Sequence, residues 1–392
     1  MEININRKEL LKAISKAEVI SRGKHTLAIL SSILLVAKDN VLEISATNLE
    51  SAFHGIYSAK VIKPGRIVVS SKFLLDFIRK SKSQEISIIE KESQWVNISD
   101  GVTSLNFVCP SVDDFPLLPK TEEIKEMAQF SIDLFDFKEM IDAIVIISAS
   151  DDKRPHKEGG YFQIIEKNFR AVSTDGSRLV LIDREIITGN NYESEINING
   201  ILIPKRELEK LCGIFLKESK QKDHGYGGFG LFEKSKNDIL LSTDQNYFAV
   251  RKQNESVVIR LLEGGFPDYK DIIKDRGNNI FVDRKELLEV MRKMMIMQDE
   301  SHRGVSMNIE SENMKIAFVN PDIGEMMEEI KIKYGGASIK IAMNPIFFVD
   351  FLQFMKSDKI KLDVKDAESF CIITGDQDGG FIGVIMAMAM RM

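Results

Sequence analysis

The segment Val282-Asp283-Arg284-Lys285-Glu286-Leu287-Leu288 is a near copy of Ile5-Asn6-Arg7-Lys8-Glu9-Leu10-Leu11, which lies close to the start of the chain. In both segments an Asn or Asp stands three residues before a Glu, which is the spacing of a helix-capping box. Apolar residues then recur at helical spacing, as in Leu10, Ile14 and Ala17. Each copy therefore predicts a short strand, a capped N-terminus and an amphipathic helix.

A weaker copy, Leu134-Phe135-Asp136-Phe137-Lys138-Glu139-Met140-Ile141, lies between these two and places Asp136 at the predicted cap. Second predicted helices lie about halfway between the copies, each after a short apolar strand; they are Ser71–Ile78, Pro204–Leu208 and Asn344–Leu352. Segments with the alternating pattern of strands fill the remainder. Such internal repetition indicates a repeat-built fold. We predict an α+β protein of three domains, over residues 1–124, 125–274 and 275–392.

Composition places the chain among ordinary globular proteins, with 392 residues, 44% hydrophobic and 29% charged. Its three cysteines, Cys109, Cys212 and Cys371, are far apart, which fits a reducing compartment better than a disulfide framework. The N-terminus lacks a signal-peptide pattern, and the longest apolar runs are too short to span a bilayer. We expect a cytoplasmic protein, and no metal or other cofactor is expected.

Positive charge is concentrated on the predicted helices although the net charge is −6. The candidate DNA-binding residues are Lys8, Lys12, Lys16, Arg22, Lys24, Lys72, Arg79, Lys80, Arg206 and Lys210. On the second helix the basic residues are expected to lie opposite a buried Phe73/Phe77 face. Any solvated helix carries lysines, but the same bias on several equivalent helices favours one shared basic surface facing a phosphate backbone. No motif that reads base sequence is present.

Helix geometry adds a condition on such a surface. Six helices, each about 10 Å across, would close a ring with a hole of only ~9 Å, whereas twelve would leave ~28 Å. Duplex DNA needs roughly 20 Å. If the helices line a ring around DNA, the ring must contain two chains.

Four further segments carry a resemblance to a known family. Ala46-Thr47-Asn48-Leu49-Glu50 resembles its ATDLE segment, and Ser173-Thr174-Asp175-Gly176-Ser177-Arg178-Leu179 resembles ATDGHRL. Gly265-Phe266-Pro267-Asp268-Tyr269 resembles FPDY, and Met388-Ala389-Met390-Arg391-Met392 resembles the terminal MPMRL. Together, and in this order, they are similar to the bacterial beta sliding clamp family, the beta subunit of DNA polymerase III, essentially from end to end.

The resemblance implies three clamp domains, each with two helices packed on antiparallel sheets, and a head-to-tail dimeric ring that slides on double-stranded DNA without sequence preference. It implies a replication processivity factor and not an enzyme. Partners would be the DNA polymerase III catalytic subunit, the clamp loader and other replication and repair proteins with clamp-binding peptides. Lys24, in Gly23-Lys24-His25-Thr26-Leu27, stands where the family has a basic residue facing DNA.

The resemblance also implies a hydrophobic peptide groove between the second and third domains. Its residues here would be Thr174, Gly176, Ser177, Arg178, Leu179, Pro267, Ile272, Ser369, Met386, Met388, Ala389, Met390, Arg391 and Met392. We expect Arg178 and Arg391 to pair polar groups at the rim, and the methionines to make the groove adaptable. On sequence alone, the terminal Met run also fits a core strand.

Several groove positions depart from the family pattern. Ser177 replaces the common His, Ala389 the common Pro and Met392 the usual Leu. Lys157 stands where Leu is usual, and Asp271 where Arg is frequent. We therefore expect an altered peptide preference, with an acidic flank favoured near Lys157.

For the dimer interface, we expect an apolar face with Ile296 and Met297 at the end of the third domain's first helix. It would meet the first domain's strand near Leu105 and Phe107.

Two other classes of function stay open from the residues alone. A metal-dependent hydrolase would use Asp151, Asp152 and His156, although adjacent acids in a loop rarely converge on one substrate. No nucleophile-elbow, Walker or dinucleotide-binding motif supports an enzyme. A repeat-built scaffold that never touches nucleic acid is the second alternative.

Overall fold

The protein is described by a computed structural model over residues 1–116, 128–147, 154–187, 198, 200–215, 237–274, 277–299 and 302–389. The helices in these ranges are α1 (Arg7–Ser21), α2 (Ser71–Lys80), α3 (Leu134–Ile146), α4 (Pro155–Glu158), α5 (Lys205–Phe215), α6 (Arg284–Met294) and α7 (Pro345–Phe354). The six helices predicted from the repeats are confirmed, and α4 is an additional short turn. No helix within the described ranges combines the length and the apolar character that crossing a membrane requires.

Strands make up most of the remaining described residues. The first repeat contains β1 (Glu2–Asn6), β2 (Ser32–Lys38), β3 (Val41–Thr47), β4 (Ser51–Ser58), β5 (Lys60–Lys63), β6 (Gly65–Ser70), β7 (Glu85–Glu90), β8 (Trp95–Ser99) and β9 (Ser104–Val108). The second contains β10 (Ala128–Asp133), β11 (Gly159–Ile165), β12 (Asn168–Thr174), β13 (Arg178–Glu185), β14 (Ile201–Pro204), β15 (Asp238–Thr243), β16 (Tyr247–Lys252) and β17 (Glu255–Arg260). The third contains β18 (Asn279–Asp283), β19 (Val305–Ile309), β20 (Asn313–Asn320), β21 (Gly324–Lys333), β22 (Ile339–Met343), β23 (Lys359–Val364), β24 (Cys371–Gly375) and β25 (Phe381–Ile385).

Each repeat contributes two antiparallel four-stranded sets in the same order. The A set joins the strand before the first helix to the last three strands, as in β1-β7-β8-β9, β10-β15-β16-β17 and β18-β23-β24-β25. The B set joins the strand before the second helix to the strands after the first helix, as in β6-β2-β3-β4, β14-β11-β12-β13 and β22-β19-β20-β21. The α+β class and the antiparallel sheets are thereby confirmed.

A and B sets of successive repeats pair along their last strands. Strand β17 pairs with β4 from Glu255↔Gly55 to Ile259↔Ser51. Strand β25 pairs with β13 from Ile385↔Arg178 to Phe381↔Ile182. The first pairing gives a sheet of eight strands, and the second, together with the pairing of β18 with β21, gives a sheet of twelve.

The described chain packs as two compact units. The first comprises residues 1–135, 186–197 and 206–261, and the second comprises 136–185, 198–205 and 262–392. The second repeat therefore contributes its A set to one unit and its B set to the other. The three-domain boundaries stay a prediction, and the boundary at 124/125 lies outside the described residues.

In the first and third repeats, the repeated sequence segment caps the start of the first helix and binds the end of the second helix. Asn6 accepts hydrogen bonds from the Lys8 and Glu9 amides, and Asp283 accepts one from Glu286, so both predicted caps are confirmed. The Arg that follows each cap reaches the last turn of the second helix. Arg7 donates to the Ile78 carbonyl at 3.2 Å, and Arg284 donates to the Leu352 carbonyl at 2.8 Å. The last carbonyls of a helix have no partner within it, so these arginines satisfy them.

Two details of the predicted helices are wrong. In the middle repeat the helix begins at Leu134, and Asp133 accepts from the Phe135 amide. The capping residue is therefore Asp133, three residues before Asp136. The Lys-Glu pair of this repeat lies further along its helix than the Lys-Glu pairs of the other two repeats, so aligning these pairs misplaced the cap. In α2 the buried stripe is Leu74, Leu75 and Ile78, whereas the Phe73 side chain is 65% exposed.

Replacement of Arg284 by Met should lower the free energy of unfolding by about 2 kcal/mol, because the Leu352 and Ser357 carbonyls each lose a charged donor. Urea unfolding followed by circular dichroism measures the change. The matched control is Lys285→Met, since the Lys285–Asp358 bridge is exposed on both sides and is worth well under about 1 kcal/mol. Equal losses in the two variants would contradict the assigned role of Arg284.

Candidate nucleic-acid interface and peptide groove

Most of the candidate DNA-binding residues are solvent-exposed. Those with exposed side chains are Lys8, Lys12, Arg22, Lys24, Lys72, Arg79, Lys80 and Arg206. All of them belong to one compact unit, and α1 packs against α2 within it. Arg22 is bridged to Glu18 at 3.3 Å. Lys210 is partly buried and donates to Glu207 at 2.6 Å, so its charge is already paired.

Lys16 departs from the predicted open basic face. Its side chain is 7% exposed, and its ammonium donates to both Glu255 carboxylate oxygens at 2.7 and 2.9 Å. Tyr57 donates to the same carboxylate at 2.7 Å. Burial lowers the pKa of Lys16, and Glu255 partly offsets that effect. The physical reason is helix phase: steps of four residues drift by about 40° each, so Lys16 lies about 80° around the helix from Lys8.

Lys252 was not predicted from the sequence, yet it adds positive charge beside α1. It lines one cleft with Lys12, Lys16 and Glu255, and burial lowers its pKa. The residue lies at the end of β16, 240 positions after Lys12. No periodicity along the sequence links the two positions.

The motif at 173–179 forms a hairpin turn. Thr174 donates from its hydroxyl to the Arg178 carbonyl at 2.7 Å, and Asp175 accepts from the Ser177 and Arg178 amides. Gly176 has φ +93°, a left-handed conformation that favours glycine. The same side-chain pattern recurs at Thr47/Asn48 and at Thr243/Asp244. In each turn an Asn or Asp side chain accepts hydrogen bonds from the main-chain amides two and three residues later. This requirement explains why the Thr-Asn or Thr-Asp pair recurs in the sequence.

Two separated segments of the predicted groove meet in one apolar cluster, together with Val384, which was not predicted as a groove residue. Leu179 is buried with Tyr269, Ile372 and Val384, and the partly buried Ile272 packs against them. Leu179 is the cross-strand neighbour of Val384. The structure thus brings residues of segments 174–179 and 267–272 against Val384, two residues before the predicted segment 386–392.

The remaining groove positions frame this cluster. The Met386 amide donates to the Ser177 carbonyl at 2.9 Å, and the Met386 side chain is 44% exposed. The Met388 amide donates to the Ala342 carbonyl at 2.8 Å. Gly176, Ser177, Pro267 and Ala389 are exposed, whereas Thr174 and Ser369 are half-buried. Met390, Arg391 and Met392 lie outside the described residues.

Arg178 is not at an open rim, which corrects the expectation from the motif. The side chain is 6% exposed and donates to Asp175 at 3.0 Å and to Asp350. It also donates to the Ile146 carbonyl at 3.3 Å, and its guanidinium lies 4.5 Å from the centre of the Phe347 ring. Asp350, Ile146 and Phe347 are distant in sequence, so the motif alone gave no sign of these three partners.

The two unusual charges at the groove differ in their surroundings. Lys157 lies beside Gly176, because a Cβ built on that glycine would be 3.6 Å from the Lys157 Nζ. Asp271 is exposed and accepts from Lys274 at 2.5 Å, and this bond holds the pKa of Asp271 below its usual range. Of the two departures, Lys157 is the one placed against a predicted groove residue.

The residues expected at the dimer interface lie on accessible elements. Leu105 and Phe107 are half-buried on β9, the last strand of the five-stranded sheet. Ile296 is 76% exposed on the 3-10 turn Met295–Met297, where Met297 is half-buried. Further exposed apolar side chains, Val108, Val319, Ile323 and Met327, were not predicted from the sequence.

The hydrolase alternative gains no geometric support. Asp151 and Asp152 lie outside the described residues, and the side chain of His156 is outside them as well. Within the described ranges no group of three His, Cys, Asp or Glu residues is placed to hold a metal ion.

Comparison with known proteins gives a consistent result at both ends of the chain. Residues 1–119 match the family model of the DNA polymerase III beta subunit, N-terminal domain, and residues 272–389 match that of its C-terminal domain. The beta sliding clamp of Chlamydia pneumoniae is 24% identical over 392 residues, covering 100% of both chains. The beta sliding clamp of Pseudomonas aeruginosa is 22% identical over 394 residues, again covering 100% of both.

Solved structures share the fold. The crystal structure of the DNA polymerase III subunit beta from Pseudomonas aeruginosa superposes with a TM-score of 0.86 at 21% identity, covering 100% of both chains. A sliding clamp from Bartonella birtlesii bound to griselimycin gives 0.83 at 23% identity, also covering 100% of both. The fold is that of these DNA polymerase III beta subunits. The chain belongs to the DNA polymerase III beta subunit family, the bacterial beta sliding clamps.

Replacement of Glu255 by Gln should destabilise the protein by about 3–5 kcal/mol, because it leaves the buried Lys16 ammonium without its counter-charge. The double variant Lys16→Met/Glu255→Gln should recover much of this loss. Urea unfolding of the single and double variants measures both effects. Asp358→Asn, which breaks the exposed Lys285–Asp358 bridge, is the control and should cost under about 1 kcal/mol. A Glu255→Gln variant no less stable than this control would contradict the buried pair.

Proposed function

We propose that this protein is a DNA replication processivity factor: two copies form a head-to-tail ring around duplex DNA and tether the replicative polymerase to it. The observation that carries the proposal is the match of both ends of the chain to domains of the DNA polymerase III beta subunit. Relatives named beta sliding clamp, aligned over the whole chain, support it. A sliding clamp is not an enzyme, so the hydrolase is not favoured.

The ring is supported by two strand edges that the repeats leave open. Within the chain, A and B sets pair twice, at β17–β4 and at β25–β13. The A set of the first repeat ends at β9, and the B set of the third repeat ends at β21. Among the described residues, positions 324–331 of β21 have a strand partner on one side only. Open edges favour pairing with another chain. The same A-to-B pairing between copies places β9 against β21 of the next copy, and two such contacts close a ring.

The surroundings of these edges fit burial against a second copy. Val108 on β9 is 57% exposed, and Met327 on β21 is 67% exposed. Large apolar side chains clustered at an accessible edge are typical of protein interfaces. Ile296, 76% exposed, belongs to the same unit as β21 and gives this interface its predicted apolar anchor.

A second regularity points to the same interface. The turn Thr47–Ser51 donates to Glu207 of α5, and the turn Thr174–Arg178 donates to Asp350 of α7. In each case the turn of one repeat binds the second helix of the next. The remaining turn, Asn320–Gly324, exposes Ile323, and the remaining second helix, α2, exposes Phe73. We infer that these two surfaces meet between copies.

DNA binding is proposed through the exposed basic residues of α1, α2 and α5 together with Lys24. Such contacts go to phosphates and carry no base preference. Lys16 and Lys210 are already engaged by carboxylates and contribute less to this surface. The fold leaves the positive charge on helices although the whole chain is acidic.

Substitution of Lys12, Lys24 and Lys80 together by Gln should weaken binding to a duplex oligonucleotide and make its salt dependence shallower. Each phosphate that the protein no longer neutralises lowers the log–log slope by about 0.9. Fluorescence anisotropy at several salt concentrations measures the slope. The charge-matched control replaces Lys38, Lys167 and Lys365, which are exposed and lie on strands or turns. If both triple variants change the slope equally, the helices do not form the DNA-facing surface.

Partner binding is proposed at the apolar cluster of Leu179, Ile272 and Val384, extended by Met386 and Met388. A short hydrophobic peptide would cover the exposed Met386 side chain, and the methionines would repack for different partners. The polymerase catalytic subunit, the clamp loader and other replication and repair proteins are the proposed partners. The departures at Lys157 and Ser177 alter the charge and shape of one wall.

Removal of residues 388–392 should abolish binding of a labelled hydrophobic clamp-binding peptide and leave the dimer intact, because the proposed interface lies on other strands. Peptide titration of the intact and truncated proteins measures the first effect, and sedimentation measures the second. Equal affinity in the two proteins would show that the groove is elsewhere. A truncated protein that becomes monomeric would contradict the separation of groove and ring.

Three domains over 1–124, 125–274 and 275–392 are also proposed. The family models, which match 1–119 and 272–389, support the outer two. A cytoplasmic location is also proposed, because a bacterial replication clamp acts on the chromosome, which lies in the cytoplasm.

A further inference from the structure

Lys205 is a buried lysine without a carboxylate among its described hydrogen-bond partners. Its side chain is 4% exposed, and its Nζ donates to the Ile147 carbonyl at 3.1 Å and to the Lys157 carbonyl at 2.8 Å. Burying an ammonium is costly unless hydrogen bonds compensate. Neither accepting group belongs to the strand or helix on which Lys205 lies, so the residue ties its own chain segment to two others.

The two carbonyls that accept from Lys205 lie at the C-terminal end of α3 and within α4. Ile147 follows the last residue of α3, and Lys157 lies in the single turn α4. Arg178 donates to the neighbouring Ile146 carbonyl, so two buried cations meet the C-terminal end of α3. Cations are stabilising there, because the last carbonyls of a helix carry partial negative charge.

The Lys157 main chain connects this contact to the proposed groove. The Lys157 side chain lies beside Gly176, on the wall formed by the turn 174–178. The position of that side chain depends on the main chain that carries it, and Lys205 holds the carbonyl of the same residue. A displacement at Lys157 would therefore move a charge at the wall of the groove.

We propose that Lys205 is a positioning residue of the peptide groove, which fixes the Lys157 main chain so that the Lys157 side chain lies across Gly176 and selects peptides with an acidic flank. The inference rests on the groove proposed above and specifies what sets its preference. Lys205 itself does not touch the peptide. Its effect is carried by the carbonyl of Lys157.

The protonation state of Lys205 gives this role a pH dependence. Burial lowers the pKa of Lys205 to about 8, with Asp175 opposing and Arg178 reinforcing the shift. The contacted elements also carry the charged side chains Lys157 and Glu158 on α4 and Asp142 on α3, and Asp350 balances Arg178. The ammonium is roughly nine-tenths formed at pH 7 and one-tenth at pH 9. A neutral amine donates more weakly to a carbonyl than an ammonium does, so the grip on Lys157 weakens as the pH rises.

The test is the affinity of an acetylated, amidated hydrophobic peptide with an Asp flank, measured by fluorescence anisotropy at pH 7 and pH 9. For the wild type we expect several-fold weaker binding at pH 9. Lys205→Arg keeps a permanent charge and should bind equally at both pH values. Lys205→Met should bind weakly at both, and the exposed Lys167→Met control should behave as the wild type.

A second peptide with a neutral flank separates positioning from general damage to the fold. The wild type should bind it with the same affinity at both pH values, because a neutral flank offers no charge to the Lys157 side chain. An affinity of the wild type for the Asp-flanked peptide that does not change with pH would overturn the inference. So would a Lys205→Met variant with the pH profile of the wild type. If the wild type binds neither peptide at pH 7, the proposed groove itself is wrong, and this inference falls with it.

Discussion

The pairing of one strand edge with another is the interaction on which the rest of the structure depends. In each repeat the last strand of the A set and the last strand of the B set form a sheet edge. Such an edge tends to pair with another strand unless it is covered. Two of the three possible A-to-B pairings occur within the chain, at β17–β4 and β25–β13. The third would need β9 and β21, which a second copy can supply. The proposed ring is the assembly that the same pairing at every repeat would give.

The buried basic residues and the exposed basic residues of the proposed DNA surface form two separate sets. Lys16, Arg178 and Lys205 are inside the protein, and each is held by named partners: Glu255, Asp350 with Asp175, and two main-chain carbonyls. The lysines of α1 and α2 that belong to the proposed DNA surface are exposed. A chain with net charge −6 can therefore present a basic surface. The buried cations are held by partners within the protein, and the exposed ones are those proposed to meet phosphates.

The strongly patterned parts of the fold were predictable from the sequence, and the long-range parts were not. The caps at Asn6 and Asp283 follow from local spacing, whereas the middle helix begins at Leu134 because similar letters there occupy other positions. The burial of Lys16 and Arg178 depends on Glu255 and Asp350, 239 and 172 residues away. The meeting of Leu179 with Ile272 was expected only from the family resemblance, since no local pattern links such distant segments, and the presence of Val384 beside them was not predicted.

Retention on nicked circular DNA tests the ring most directly. The protein is loaded on the circle with a clamp loader, washed in high salt, and the amount retained is compared before and after the circle is cut once. A closed dimer should survive the wash on the circle and be lost from the linear molecule, because topology and not charge holds it. Equal retention on circular and linear DNA, or retention of a single chain on the circle, would contradict the ring.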